Sequence, residues 1–319
     1  MSPLFRSVLG AALAACAAFA FAQTYPAKPL RMLVGYSAGG GADALARIVA
    51  AKMAGELGQQ VLVENRPGAG ATLAADAVAK AAPDGYTIMF ADSALLIAPS
   101  IYARLPFDAL KSFAPVGGAV TTPLVVVVNP SVPAETTQAL IRLLRADPGK
   151  YSYGSPGVGT VHHLAMELFK KQAGVNMLHV PYKGAAAIVP DVISGQLPVA
   201  IMSASPALAQ SKAGRLRPIA LTSPAKLANA DWPALADTLP GFDASPRLFV
   251  LAPAGTPAAL VASLNGTLKA ALSSREVLDG IAQQGAAADY TTPQELGARM
   301  AEELRKWEQV ARDSGAKAE

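Results

Sequence analysis

The chain has 319 residues, 52% hydrophobic and only 16% charged, which supplies two packed cores and excludes a disordered chain. Its 27 basic and 23 acidic residues form no Lys/Arg cluster with interleaved aromatics, so nucleic acid is not an expected partner. The single cysteine, Cys16, leaves no internal disulfide framework and no thiolate metal centre to consider.

Residues 1–22 read as an export signal. Met1–Arg6 is weakly basic, Val8–Ala22 is an apolar run, and Ala20-Phe21-Ala22 gives a small-x-small cleavage pattern before Gln23. The run is shorter than the roughly 20 residues of a membrane span. Leu13-Ala14-Ala15-Cys16 also resembles a lipobox, but the apolar residues continuing past Cys16 favour cleavage near Ala22/Gln23. Without Arg6 the mature chain carries 26 basic and 23 acidic residues, a mild positive bias that suits a small anion.

Strand and helix signals then alternate. Leu30–Val34 is a short apolar strand, and the next helix places Leu45, Ile48, Val49, Met53 and Leu57 on one face and stops at Gly58. Val61–Val63 is a second strand. An alanine-rich helix ends at Pro83-Asp84-Gly85, and Tyr86–Phe90 is a third strand, giving a βαβαβ unit with a parallel sheet between helices. A second unit opens at Leu124–Val128. It continues through a helix at Ala139–Arg145, a strand at Tyr151–Tyr153, a helix carrying Leu164, Leu168 and Phe169, and a strand at Leu178–Val180. A helix at Ala185–Ser194 and strands near Val199–Met202 and Pro218–Thr222 complete it. Three C-terminal helices follow. Thr256-Pro257 reads as an N-cap with proline at the first helical position, Ser273-x-x-Glu276 and Thr292-x-x-Glu295 as capping boxes, and Gly285 and Gly315 as helix stops. The first unit is the natural host for these helices.

Chemistry concentrates between Val34 and Arg47. Gly35-Tyr36-Ser37-Ala38-Gly39 fits the nucleophile elbow of α/β-hydrolases, and Gly39-x-Gly41-x-x-Ala44 with Glu64 fits a dinucleotide fingerprint. Both are weak. Ser37 sits on the first mature strand, and the three histidines, His162, His163 and His179, are all mid-chain, where the hydrolase order does not place its histidine. Three residues separate the strand end from the glycines, a longer loop than the fingerprint turn. Metal binding has no support either: adjacent His162 and His163 diverge by about 100° on a helix, and no H-x₃-H spacing exists. The third reading is a strand–loop–helix junction whose free amides bind a carboxylate. It gains from a second instance, Gly154–Thr160, in the other unit. Two such loops on facing domains describe a cleft that grips a small anion; the plain alternative is two ordinary tight βα loops.

With these features in place the chain resembles the Bug, or tripartite tricarboxylate transporter (TctC-like), periplasmic substrate-binding receptors. The matching stretches are Tyr25-Pro-Ala-Lys-Pro-Leu30, Gly39-Gly-Gly-Ala-Asp43, Val63-Glu-Asn-Arg-Pro-Gly-Ala-Gly70, Ala82-Pro-Asp-Gly-Tyr-Thr87, Tyr153-Gly-Ser-Pro-Gly157, His163-Leu164, Val180-Pro-Tyr-Lys-Gly184, Lys212-Ala-Gly214 and Ala252-Pro-Ala-Gly-Thr-Pro257. They run in order over nearly the whole mature chain. The resemblance implies a two-lobed, type II-like periplasmic binding fold of α/β class. Each lobe would be a mixed, mainly parallel sheet flanked by helices, with 23–121 and 246–319 forming lobe 1 and 122–245 lobe 2. It implies no catalysis, no cofactor and no metal, a monomer, and delivery to transporter subunits or, alternatively, to a sensor kinase.

Carried over by position, the first loop (Tyr36, Ser37, Gly39, Gly40, Gly41, Ala42, Asp43) and the second (Ser155, Gly157, Gly159, Thr160, with His163 behind it) would contact ligand carboxylates. Asp92-Ser93 and Tyr182-Lys183-Gly184 would be cleft walls on the two sides. The chain departs from the family pattern at four places. Ser37 and Ala38 stand where proline is frequent, Ala42 where threonine is common, Met202-Ser203 where Asp-Asn is frequent, and Pro246-Arg247 where Ser-Trp is usual. Ser203 therefore joins the candidates, and Arg247 is expected either to pair with a ligand carboxylate or to face solvent. Dicarboxylates, tricarboxylates, acidic amino acids and aromatic carboxylates all fit this reading.

Overall fold

A computed structural model describes residues 25–182, 187–224, 226, 227 and 229–317; the export signal, its cleavage point, Cys16 and Gly184 lie outside the described residues. In the first sheet β1 (Leu30–Val34) lies between β2 (Val61–Asn65) and β3 (Thr87–Asp92), all parallel. Parallel neighbours need a crossover, here α1 (Gly41–Leu57) and α2 (Thr72–Ala79). Gly58, at φ 64°, closes α1 in the left-handed conformation that residues with a Cβ resist. The alanine-rich helix α2 ends at Ala79, before the Pro83 stop.

Between the third strand and the crossing, two elements are absent from the sequence reading. After β3 the chain forms α3 (Ala94–Ile101) and then β4 (Phe113–Thr121). Pro115, Gly117 and Gly118 make β4 look like a loop, but the glycines are there because other chain segments lie on the strand. A Cβ on Gly118 would fall 2.6 Å from the Asp289 carbonyl oxygen, and one on Gly117 2.7 Å from Asn265 Nδ2. The strand order is β11-β4-β10-β3-β1-β2, where β10 is Arg247–Pro253, antiparallel to both neighbours, and β11 is Ala287–Ala288 at the edge.

The second sheet has the order β7-β6-β8-β5-β9, built from β5 (Leu124–Val128), β6 (Ser152–Ser155), β7 (Leu178–Pro181), β8 (Val199–Ser203) and β9 (Arg217–Leu221). Every residue of β5 is buried, as its unbroken Leu-Val run requires of a strand covered on both faces. The covering helices are α4 (Thr137–Ala146), α5 (Val161–Ala173), α6 (Ile188–Ser194) and α7 (Ala204–Lys212). Of these, α7 was not read from the sequence, and the described part of α6 starts three residues later than expected.

The C-terminal helices α8 (Ala258–Ser273), α9 (Arg275–Gln283) and α10 (Pro293–Ser314) pack on the first lobe. Thr292 and Glu295 form the expected capping box. The other two caps need correction. Thr256 donates its hydroxyl to the Pro253 carbonyl, and α8 is entered through Pro257. Ser273 remains inside α8, donating to the Lys269 carbonyl, while Ser274 starts α9 without a side-chain cap. A single hydrophobic cluster joins Leu33 and Met89 of the first sheet, through fully buried Trp307 of α10, to Tyr153 of the second sheet and Phe169 of α5. The C-terminal helix therefore ties the two lobes along one side.

Asn265 on α8 links three segments: its amide donates to the carbonyls of Val116 and Thr291, and its oxygen accepts from the Tyr290 hydroxyl. Asn265→Ala orphans these buried groups, and we expect a loss of about 2–4 kcal/mol in chemical denaturation. An unchanged unfolding midpoint would contradict this role.

Candidate carboxylate-binding cleft

Strand register places the two glycine-rich loops opposite each other. β4 ends at Thr121 in the first sheet and β5 starts at Leu124 in the second; the chain returns after β9 and enters β10 at Arg247, opposite Thr121. Asp92, the last residue of β3, lies opposite Leu248, so the carboxyl ends of β1 and β3 lie at the crossing end of their sheet. On the other side Leu124 lies opposite Ser203, the last residue of β8, and β6 runs parallel to β8. The carboxyl ends of β6 and β8 thus face back across the crossing. Crevices outside the carboxyl ends of strands are where open α/β sheets bind ligands.

The first loop is exposed from Ser37 to Gly41. Its first intrahelical bond runs from the Ala44 amide to the Gly40 carbonyl, so the amides of Gly41, Ala42 and Asp43 precede the helical ladder at its positive end. The Asp43 side chain is buried and tethers this loop. It accepts from the Gly39 amide (2.9 Å), Asn65 Nδ2 (2.9 Å) and Arg47 Nε (3.0 Å). Asn65 also donates to the Tyr36 carbonyl. The hydrogen bond from Arg47 is the main reason the Asp43 carboxyl titrates near 2, well below its usual range. Asp43 thus holds the loop with its side chain and offers a ligand only its amide. Arg47 lies one helical turn beyond Asp43 and was legible as its partner; Asn65, across the sheet, was not. Tyr36 donates its hydroxyl to Asp92 Oδ2 (2.6 Å), and burial raises its own pKa well above the usual value.

In the second loop Thr160 caps α5, its hydroxyl donating to the Gly157 carbonyl (2.8 Å) and accepting from the His163 amide (3.2 Å). His163 Nδ1 accepts from the Gly159 amide (3.2 Å), which fixes the loop and takes that amide away from a ligand. The sequence did not signal that the His163 ring stacks on His179 at 4.0 Å, or that His179 Nε2 bonds the fully buried Ser155 hydroxyl at 2.7 Å. Ser155 is therefore a support beneath the loop. Gly159, at φ 74°, abuts α3 of the other lobe: a Cβ there would lie 2.9 Å from Ile101. Ser203 is exposed at the entry to α7 and makes no capping bond. Tyr182 is half-buried, and its hydroxyl donates to Asp191 (2.7 Å). A groove of about 580 Å³ lies behind this loop, against Val158, His163, His179 and Ser314–Lys317; another of about 680 Å³ follows α1 and β2.

Two expected ligand contacts are structural. Ser93 is fully buried, donating to Glu303 Oε2 (3.1 Å) and accepting from the Arg247 amide (3.1 Å). The Arg247 guanidinium is engaged by Asp243, lies 3.1 Å from Glu303 and 3.9 Å from Asp289, and is thus neutralised by the chain's own carboxylates at the crossing. Its Nε and Glu303 Oε1 pair as ions without a well-aligned hydrogen bond.

The enzyme motifs lose their partners in three dimensions. Ser37 is in the first lobe, whereas all three histidines lie on α5 and β7 of the second. Glu64, the candidate ribose ligand, is held by Arg31 through two bonds of 2.6 and 2.8 Å.

The description "Tripartite tricarboxylate transporter family receptor" matches residues 45–316. The chain belongs to this family. It is 35% identical over 312 residues to "Protein BugT" of Bordetella pertussis, covering 96% of this chain and 95% of that one. A Rhodopseudomonas palustris protein solved with adipate is 31% identical, with a TM-score of 0.78 and coverage of 92% of this chain and 100% of that one. MatC of the same organism, solved with bound malate, is 27% identical, with a TM-score of 0.73 and coverage of 90% and 99%. The chain is thus a two-lobed periplasmic solute-binding receptor of the tricarboxylate transport type.

Two pH windows follow from the site. Burial holds His162 and His179 near 4, below the usual 6.5. The unfolded chain therefore binds more protons between these values, and stability falls as pH drops from 6.5 to 4. The depressed Asp43 carboxyl adds a second loss, from 3.8 down towards 2. In denaturation at graded pH, His162→Leu should flatten the first window and Asp43→Asn the second. Unchanged slopes would contradict these assignments.

Proposed function

We propose that the protein captures a small carboxylate between a lobe formed by 23–121 with 246–319 and a lobe formed by 122–245, and delivers it as a monomer to a tripartite tricarboxylate-type transporter. One observation carries this reading. The exposed first loop presents the unbonded first-turn amides of Gly41 and Ala42 at the positive end of a 17-residue helix, and buried Asp43 holds the loop in place. Tyr36, Ser37, Gly39, Gly40 and Asp92 border the same point; Gly157, Thr160 and Ser203 would close on it from the other lobe. The two Rhodopseudomonas palustris relatives solved with adipate and malate support this ligand class.

The test removes one amide and nothing else. Proline is accepted at the first helical position, Gly40 already has the extended φ −78°, ψ 167° that a residue before proline requires, and a Cβ at Gly41 meets no atom within 4 Å. Gly41→Pro should keep its melting temperature and lose at least about tenfold in carboxylate affinity by calorimetry, about 1.4 kcal/mol. Full affinity in a folded Gly41→Pro protein would remove this amide from the site.

A further inference from the structure

Among the described residues no ion pair involves Asp92. Several other carboxylates have a counter-charge: Asp43 pairs with Arg47, Asp289 with Arg299, Glu167 with Lys170, and Asp243 and Glu303 with Arg247. Among the described residues Asp92 has no cation within ion-pair distance. Its partners are two neutral donors, the Tyr36 hydroxyl on Oδ2 (2.6 Å) and the Ala94 amide on Oδ1 (3.1 Å). A charged group that faces it, the Glu303 carboxylate of α10, is of like sign, and the nearby guanidinium of Arg247 is held by Asp243 and Glu303. Desolvation accordingly raises the Asp92 carboxyl to about 6. Starting α3 through the Ala94 amide needs only a neutral acceptor such as asparagine. A carboxylate here, beside a loop that attracts anions, weakens the binding of a purely anionic ligand unless that ligand also brings a donor.

We propose that Asp92 is a specificity-determining residue of the cleft, accepting a donor that the ligand carries beside its carboxylate, an ammonium in preference to a hydroxyl. The inference rests on the carboxylate reading above and narrows its ligand class to amino- and hydroxy-substituted carboxylates. Each Asp92 oxygen keeps a free lone pair for such a donor. Tyr36 orients the carboxylate and holds it at the crest. An unsubstituted carboxylate would place a methylene against Asp92 and bury the charge without a hydrogen bond, and sites built around a polar partner reject analogues that lack it.

Calorimetry on the mature protein with two matched sets tests this: succinate, L-malate and L-aspartate; phenylacetate, mandelate and phenylglycine. In the set that binds, the amino compound should exceed the unsubstituted one by at least about tenfold, with the hydroxy compound between them. Asp92→Asn, which keeps an acceptor for Ala94, should collapse that ratio below about threefold while binding of the unsubstituted member persists. Tyr36→Phe is the second variant and, by releasing the carboxylate that the hydroxyl orients, should narrow the wild-type ratio while the amino compound stays preferred. Equal wild-type affinity across a binding set, or an unchanged ratio in folded Asp92→Asn, overturns the role of Asp92 alone. Failure of every compound in both sets overturns the carboxylate reading, and this inference with it.

Discussion

The cleft depends on how the exposed start of one helix is held. The first turn of α1 leaves amides without partners, and such groups are useful to a ligand only if they stay aimed at it. Asp43 achieves this by pointing its side chain backward: the buried carboxylate ties the Gly39 amide, Asn65 and Arg47 into one knot. The negative charge stays beneath the loop, neutralised by Arg47, while the positive helix end faces outward. Without that tether, five exposed residues from Ser37 to Gly41 would carry the donors on a free hinge.

The second lobe solves the same problem with neutral groups. Thr160 and His163 brace the loop from behind, and the His179 ring and buried Ser155 hydroxyl brace His163 and the loop entry. Burial keeps both imidazoles uncharged at neutral pH, which preserves His163 Nδ1 as an acceptor. Fixed charge is placed at the crossing, where Arg247, Asp243, Glu303 and Asp289 join the two lobes' sequence segments beside the Ser93 hydroxyl. Together with Trp307, this network joins the two lobes along one side of the molecule.

The sequence showed the two-lobed α/β class, most helices and strands, and both loops, because apolar periodicity, glycine stops and the motif order are local signals. The expected mainly parallel sheets are instead evenly mixed in the second lobe and mostly antiparallel in the first, because β4, β5, β9 and β10 pair antiparallel. It hid β4, whose Pro115, Gly117 and Gly118 look like a turn until α8 and the Asp289–Thr291 segment are seen lying on it. It hid α3 and α7 because short, uniformly apolar or small-residue helices carry little periodicity. In the cleft, chain position alone made Ser93 and Arg247 look like ligand contacts. Their true partners, Glu303 and Asp243, are brought close only by tertiary packing. That Asp92 has no ion-pair partner among the described residues could not be read from sequence for the same reason: it depends on what surrounds the residue in three dimensions.

The most direct test is native mass spectrometry of gently purified mature protein, with the retained molecule identified after release. The account predicts one small carboxylate per monomer, absent from Gly41→Pro protein prepared in the same way. A retained dinucleotide, or a carboxylate held equally well by the Gly41→Pro protein, would contradict it.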